Sequence, residues 1–582
     1  MIDSFTRFRT VGLPAAAGSR IRILLLVLAA WFAGVPQSTA ALLELPSFAP
    51  DPAQVARLQR TVTLLNSGTP NSKPTFRLMF YGNSHVTRAW CAQLANDLQS
   101  SYPNVHFVVT NKALVAFDSA RLVHSAVADV GSWQPDLLIL TSYGSFGDPE
   151  LGERNDFIPF YQRLRALSTS DVLIFPQHII YSEEVGEPSV PIDDPDLNPW
   201  YPGQDPWYTL YYVSMPGWAN ASGHCWADIR TPWKQYLNQH QVPTTDLLQE
   251  DQWHTNGDGG DFMRILLKAY FAARDFPNPM DPWNNDRIQT ATVGSDIHWD
   301  GNALDLRFVG HRVDVVYDAA PPSDAPTFSI TVNGQDPKDV PELYGFDRAT
   351  SSFGVVYPMP GAIEVLSEAP LLEETWKLHV NSIDGTTGEV TFSLTGSKTG
   401  PDGNGSTLTT FFSKSRRVRL EPYALTVWWA YSVTQKLPSD DFNIEWNAVR
   451  RSVSTFKPKA APALGRESVE TLFLGTADSV EHRLRIQPLA GTPGGIKAIR
   501  VYSPAGVAKV VDAGTSLQVQ MSGESVVLSW PASSGRGSIE SAALESEFRD
   551  WTSIAEAAVQ VGDRFQVTVP VRGAAVVYRW RN

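Results

Sequence analysis

From residue 75 to residue 275, short apolar runs alternate with stretches in which apolar positions recur every three or four residues. Phe76–Tyr81, Val105–Thr110, Leu137–Leu140, Val172–Phe175 and Cys225–Ile229 read as strands, and Arg88–Leu98, Phe157–Leu167 and Asp258–Phe271 as amphipathic helices. Such alternation builds a largely parallel sheet covered by helices, whose ligands bind beyond the carboxyl ends of the strands. After Pro277 the period shortens to two, in runs such as Leu304–Val309, Arg312–Tyr317, Thr327–Val332, Trp376–Val380 and Glu389–Leu394. Asn333-Gly334 and Asp384-Gly385 are hairpin signals. The pattern predicts a multidomain chain. A lead-in at 41–74 is followed by an α/β three-layer domain at 75–285, a β-sandwich with an insertion at 290–505, and a C-terminal β module at 511–582.

Length and composition fit this division. The 582 residues exceed what one hydrophobic core organises, and 43% hydrophobic against 19% charged residues describes a folded chain. A formal charge of −14 opposes nucleic-acid binding, and the basic cluster Lys414, Arg416, Arg417 and Arg419 lies within one strand-like stretch. The first forty residues read as an export signal: Arg7, Arg9, Arg20 and Arg22 precede the apolar run Ile23–Val35, and Ser38-Thr39-Ala40 supplies small residues for cleavage. Cleavage near Ala40 removes a net charge of +3, leaving about −17 on a secreted or periplasmic protein. No other segment approaches the roughly twenty apolar residues that a membrane span needs. Cys91 and Cys225 are the only cysteines, and in an oxidising compartment they either form one disulfide or remain two buried thiols.

Two motifs carry candidate chemistry. In Phe76–His85 an apolar strand stops at Gly82-Asn83-Ser84 and feeds a helix, which sets a serine where backbone N–H groups favour a developing anion. The same Asn-Ser pair would also serve as an N-cap. In Leu247–Gly257, Asp251 and His254 stand three residues apart just before an amphipathic helix. A carboxylate so placed can hold one imidazole nitrogen while the other faces a serine hydroxyl, or the two residues can simply decorate a turn.

Together and in this order, the motifs resemble the SGNH/GDSL-like hydrolase family, over about residues 75–275. Gly82-Asn83-Ser84 is similar to the family's Gly-Asp-Ser block, with Asn for Asp, and Asp251-x-x-His254 to its final block. The resemblance implies a flavodoxin-like fold, with Ser84 as nucleophile, His254 as general base and then acid, and Asp251 orienting it. It also implies an oxyanion hole from the Ser84 N–H, a glycine N–H after the second strand and an asparagine side chain after the third. Here Ala116 and Ser145 stand at the last two positions. Alanine keeps its N–H, and serves as donor there if its φ is negative. A serine hydroxyl donates over a shorter reach, and Asn155 is a displaced alternative. The β-rich continuation, with Glu342–Phe346 and Gly396–Gly403, resembles a secreted bacterial subgroup carrying a galactose- or carbohydrate-binding sandwich. Val526–Pro531 and Val567–Pro570 resemble an immunoglobulin or fibronectin-like module.

Asn83, His178 and Trp253 are the residues expected to meet substrate. His178 ends the fourth strand on the active-site side, and equally fits a satisfied core histidine. The loop 181–218 is rich in aromatic and acidic residues, which either stack on sugar faces or pack a long excursion. No set of residues has zinc spacing, and Asp402-x-Asn404-x-Ser406 lacks the closing glutamate of a calcium loop, so neither metal nor cofactor is expected. Three functions remain open: an esterase acting on an acylated, most simply acetylated, carbohydrate; a glycan-binding protein with a degenerate hydrolase domain; and an O-acyltransferase.

Overall fold

The computed structural model describes residues 42–581 apart from several segments, the longer ones being 181–208, 353–362 and 426–440. The expected export signal, Ser145 and most of the aromatic loop lie outside the described residues, as does the side chain of Asn155.

The chain divides into two compact units, residues 1–282 with 344–449, and residues 283–343 with 450–582. The first holds a five-stranded parallel sheet of β1 (Thr75–Gly82), β2 (His106–Asn111), β3 (Leu137–Thr141), β4 (Asp171–Ile174) and β5 (Cys225–Trp226), in the order β2-β1-β3-β4-β5. In a doubly wound sheet of this order the switch point lies between β1 and β3, so the carboxyl end of β1 is where a ligand is expected. Strands β3 and β4 are buried throughout, as central parallel strands covered on both faces must be.

Helix α1 (Gln59–Asn66) belongs to the expected lead-in, yet it is built into the α/β domain. It buries Val62, Leu64 and Leu65, the Arg60 guanidinium donates to Asp136 at 2.8 Å, and the Thr61 N–H to Asp171 at 2.9 Å. Helix α2 (Ala89–Ser101) presents Trp90 to Phe80 and Phe175. Helix α3 (Ser119–Trp133) is capped by the Asp118 carboxylate and buries Leu122, Ala126 and Val130. Two more helices that the apolar pattern did not predict, Met215–Ala221 and Arg230–His240, flank β5. That strand is shorter than Cys225–Ile229, because Ile229 already caps the following helix. Cys91 and Cys225 are both buried free thiols.

Residues 344–449 of this unit form a sandwich with its own core around Trp376, Phe392, Val418 and Trp446. Its six-stranded sheet runs Tyr344–Phe346, Asn443–Arg450, Glu374–Ile383, Val390–Gly396, Gly400–Ser406, with Thr350–Ser351 also paired to Asn443–Arg450, and a three-stranded sheet accompanies it. The Asp402 carboxylate accepts from the N–H and hydroxyl of Ser415.

In the second unit a six-stranded and a four-stranded sheet enclose a core that includes Leu304, Val315, Phe328 and Ile499. Lys509–Asp512 pairs with Ala303–Val309 and so extends this sandwich past residue 505. The C-terminal module has a four-stranded and a three-stranded sheet around Leu528, Trp530 and Val567.

Candidate active site

Strand β1 delivers Ser84. At its end Gly82 has φ +129°, and a Cβ there would lie 1.8 Å from the Thr141 carbonyl oxygen of β3, so only glycine lets the two strand ends close. Asn83 then caps a 3₁₀ turn, Ser84–Thr87, by accepting the His85 N–H at 3.0 Å. Asn83 is 1% exposed and its carbonyl arm is spent on this cap, which is the structural role the Asn-Ser pair also allowed. Ser84 opens the turn, where its N–H has no acceptor within the turn itself.

Asp251 and His254 come from a tight loop closed by backbone bonds. The Gln249 N–H donates to the His254 carbonyl at 2.7 Å, and Leu248 bridges Thr255. The loop passes into α4 (Gly257–Ala269), whose N-cap Asn256 accepts from Gly259 at 2.9 Å. One Asp251 oxygen accepts the N–H groups of Trp253 and His254 at 2.8 and 2.9 Å, while the other lies 2.8 Å from His254 Nδ1. His254 Nε2 lies 2.8 Å from Ser84 Oγ. The three residues named from sequence are therefore brought into one hydrogen-bonded chain, across 170 positions.

The electrostatics suit proton transfer. Burial pushes the Asp251 carboxyl up, but the bonds from His254 and Trp253 outweigh it and bring the group down to about 2. Burial lowers His254 below the usual imidazole value, the Asp251 bond opposes this and the Arg88 charge adds to it. At neutral pH the pair is thus a carboxylate and a neutral imidazole, the state in which Nε2 can accept a proton.

His85 and Arg88, which sequence reading passed over, complete the surroundings. The His85 ring is buried, with its centroid 5.1 Å from His178, 5.3 Å from His254 and stacked at 6.4 Å on Trp253. Burial, then the neighbouring His178, His254 and Arg88, hold it well below the ordinary imidazole range, so it is neutral. Their signal was adjacency, since both follow Ser84 within four residues.

His178, expected at the substrate, is 2% exposed, packs on Trp233 at 5.2 Å and interacts with the Trp253 backbone. Burial first, then His254 and Arg230, bring it down to about 3, and it is a buried histidine bonded to the backbone of the loop that carries His254. Trp253 is half-buried beside His254.

The oxyanion side differs from expectation. Ala116 has φ +60°, so the proviso of a negative φ is not met: the loop keeps the left-handed conformation that favours glycine, and alanine occupies it. The loop is anchored to β1 by Lys112 N–H to Phe80 and Leu114 N–H to Gly82, both 2.8 Å. The β3 end is anchored by the Ser119 N–H to the Tyr143 carbonyl at 2.9 Å, just before the undescribed Ser145.

The strand order β2-β1-β3-β4-β5 and the convergence of Ser84, His254 and Asp251 are what the resemblance to the SGNH/GDSL-like hydrolases implies.

No family model matches the chain, and no curated protein matches it in sequence. Among solved structures it is similar to a two-domain esterase active on acetylated mannans, at 11% identity and TM-score 0.29, over 77% of this chain and 95% of that one. It is also similar to a putative GDSL-like lipase from Parabacteroides merdae, at 13% identity and TM-score 0.28, over 35% of this chain and 99% of that one. An acetylxylan esterase from Geobacillus stearothermophilus matches at 14% identity and TM-score 0.26, over 35% of this chain and 96% of that one. Among the described residues no group of three metal-binding side chains converges, and no helix is long and apolar enough to cross a membrane.

Proposed function

We propose that the chain is an exported serine esterase that removes an acyl group, in the first instance acetyl, from a carbohydrate. The observation that carries this reading is the continuous chain from Ser84 Oγ through His254 to Asp251, set at the carboxyl end of β1. His254 Nε2 takes the Ser84 proton as Oγ attacks the ester carbonyl carbon, and the resulting oxyanion turns toward the N–H groups of Ser84 and of Ala116, which alanine keeps in the left-handed conformation also, at the strain of that φ. His254 then protonates the departing sugar oxygen, leaving an acyl-serine. A water molecule, deprotonated by the same imidazole, attacks that ester and releases the acid, while Asp251 fixes the imidazole tautomer throughout. The expected export signal and the attached sandwiches support an extracellular carbohydrate as the substrate, and no cofactor enters this chemistry.

The test is acetate release from aryl acetates and acetylated polysaccharides by the chain lacking its first forty residues, with Ser84→Ala and His254→Ala as controls. Activity that survives both substitutions contradicts the assignment. No release across a broad panel favours the glycan-binding reading, for which the left-handed alanine at 116 is the motive. Faster acyl loss when a sugar acceptor is added, with acyl sugar as the product, identifies a transferase.

A further inference from the structure

The loop that carries Ala116 is gripped from two sides. On the sheet side lie its bonds to Phe80 and Gly82, together with the Asn111 side chain, which donates to the Val86 carbonyl at 2.5 Å. On the other side lies Arg348, from the 344–449 sandwich. Its Nε lies 2.9 and 3.1 Å from the two Asp129 carboxylate oxygens, and its Nη2 lies 2.6 Å from one of them. The same Nη2 donates to the Lys112 carbonyl at 2.5 Å. Asp129 sits on α3, the helix that follows the loop, with its side chain 1% exposed. One guanidinium thus ties the start of the loop to the helix beyond its end.

The sandwich places that guanidinium with care for its base. Asp347, the preceding residue, donates its N–H to the Asn447 carbonyl at 3.1 Å, and its carboxylate accepts both the N–H and the side-chain amide of Asn447 at 2.6 Å. Asn447 is paired in turn with Thr375 on the next strand. A planar fork fits two acceptors in fixed directions, which a point charge on a flexible stem does not. A left-handed alanine relaxes toward negative φ unless its surroundings hold it.

We propose that Arg348 is a positioning residue: through it the 344–449 sandwich holds the Lys112–Phe117 loop in the conformation that serves the oxyanion side of the site. This rests on the esterase reading above. It gives the sandwich a part in turnover that is separate from any glycan it binds. Loss of the fork weakens transition-state stabilisation while leaving ground-state binding in place, and so falls on kcat rather than KM.

The test uses the chain from residue 41 to 582 with Arg348→Lys, Arg348→Met and Asp129→Asn, reading kcat and KM on an aryl acetate, thermal unfolding, and the rate of Ser84 labelling by a fluorophosphonate. Arg348→Lys keeps a cation beside Asp129 and is expected to unfold near the wild-type temperature. Its kcat is expected to fall about ten- to a hundredfold with KM within about twofold, the scale of a small misplacement of catalytic groups. Labelling is expected to slow in parallel. Arg348→Met should lose both kcat and unfolding temperature, and Asp129→Asn should fall between the two. A wild-type kcat in Arg348→Lys, or kcat losses that merely track unfolding temperature across the three variants, overturns the proposal and leaves the esterase reading standing. A wild-type chain with neither acetate release nor Ser84 labelling overturns both.

Discussion

The two sides of the candidate site are built by different means. On the nucleophile side every joint lies within the α/β domain and most are local: Gly82 closes β1 on β3, Asn83 caps the turn that holds Ser84, and Asp251 binds two N–H groups of its own loop and His254. On the oxyanion side the equivalent loop holds an alanine in a left-handed conformation, and its outer face is fixed by Arg348, 236 positions from Lys112. The first side is held by bonds inside the α/β domain, whereas the second is also held by a neighbouring sandwich. On the proposed esterase reading, the contrast teaches that a Ser-His-Asp chain does not by itself set turnover, since the donors facing the oxyanion contribute on the order of 10²–10³ in rate each.

The largest effects should come from the nucleophile side. His254→Ala is expected to lower kcat about 10⁴-fold or more, and Asp251→Asn about 10⁴-fold by supplying the wrong tautomer, each measured on an aryl acetate. A loss of less than tenfold in either would move the chemistry away from this chain of bonds. Gly82→Ala should follow, because its Cβ meets the Thr141 carbonyl and φ +129° is strained for alanine. We expect a cost of about 3 kcal/mol or more in urea unfolding, together with loss of activity. Near-normal stability would mean that the strand ends are less tightly closed.

On the oxyanion side the expected effects are smaller and of opposite sign. Ala116→Gly removes the left-handed penalty and should stabilise the chain by about 1 kcal/mol, while Ala116→Val should destabilise it by more. Urea midpoints at constant slope measure both, and a destabilising glycine would contradict the positive φ. The smallest expected change is electrostatic. Because His254 titrates below the usual imidazole value, kcat/KM should be low in acid and rise with pH through an inflection below 6.5. The Arg88 charge contributes to that lowering, so Arg88→Gln should move the inflection upward. A downward shift in the pH profile of kcat/KM would contradict the placement of Arg88 beside the base.

This division also explains what could be read from the chain alone. The five strands of the sheet stand out as apolar runs, and Gly82-Asn83-Ser84 and Asp251-x-x-His254 are local words whose residues the fold brings to 2.8 Å. Helix α3 escaped notice although Leu122, Ala126 and Val130 recur every four residues and are buried, because serine, histidine and glycine, which are weaker helix formers, stand between them. Helix α1 lay in a segment with no motif, and its anchors to Asp136 and Asp171 are tertiary. His178 was placed at the correct strand end, but no local pattern says whether a side chain there points into a cleft or beneath a loop. The sign of φ at Ala116 and the pairing of Arg348 with Asp129 have no local signature either, because surroundings distant in sequence impose them.

The central claim is that His254 activates Ser84. Its most direct test is peptide mapping by mass spectrometry after brief exposure of the folded chain to a fluorophosphonate. The account predicts a single adduct, on Ser84, that disappears in His254→Ala. An adduct on another serine, or an unmodified Ser84 in a chain that still hydrolyses aryl acetates, would contradict it.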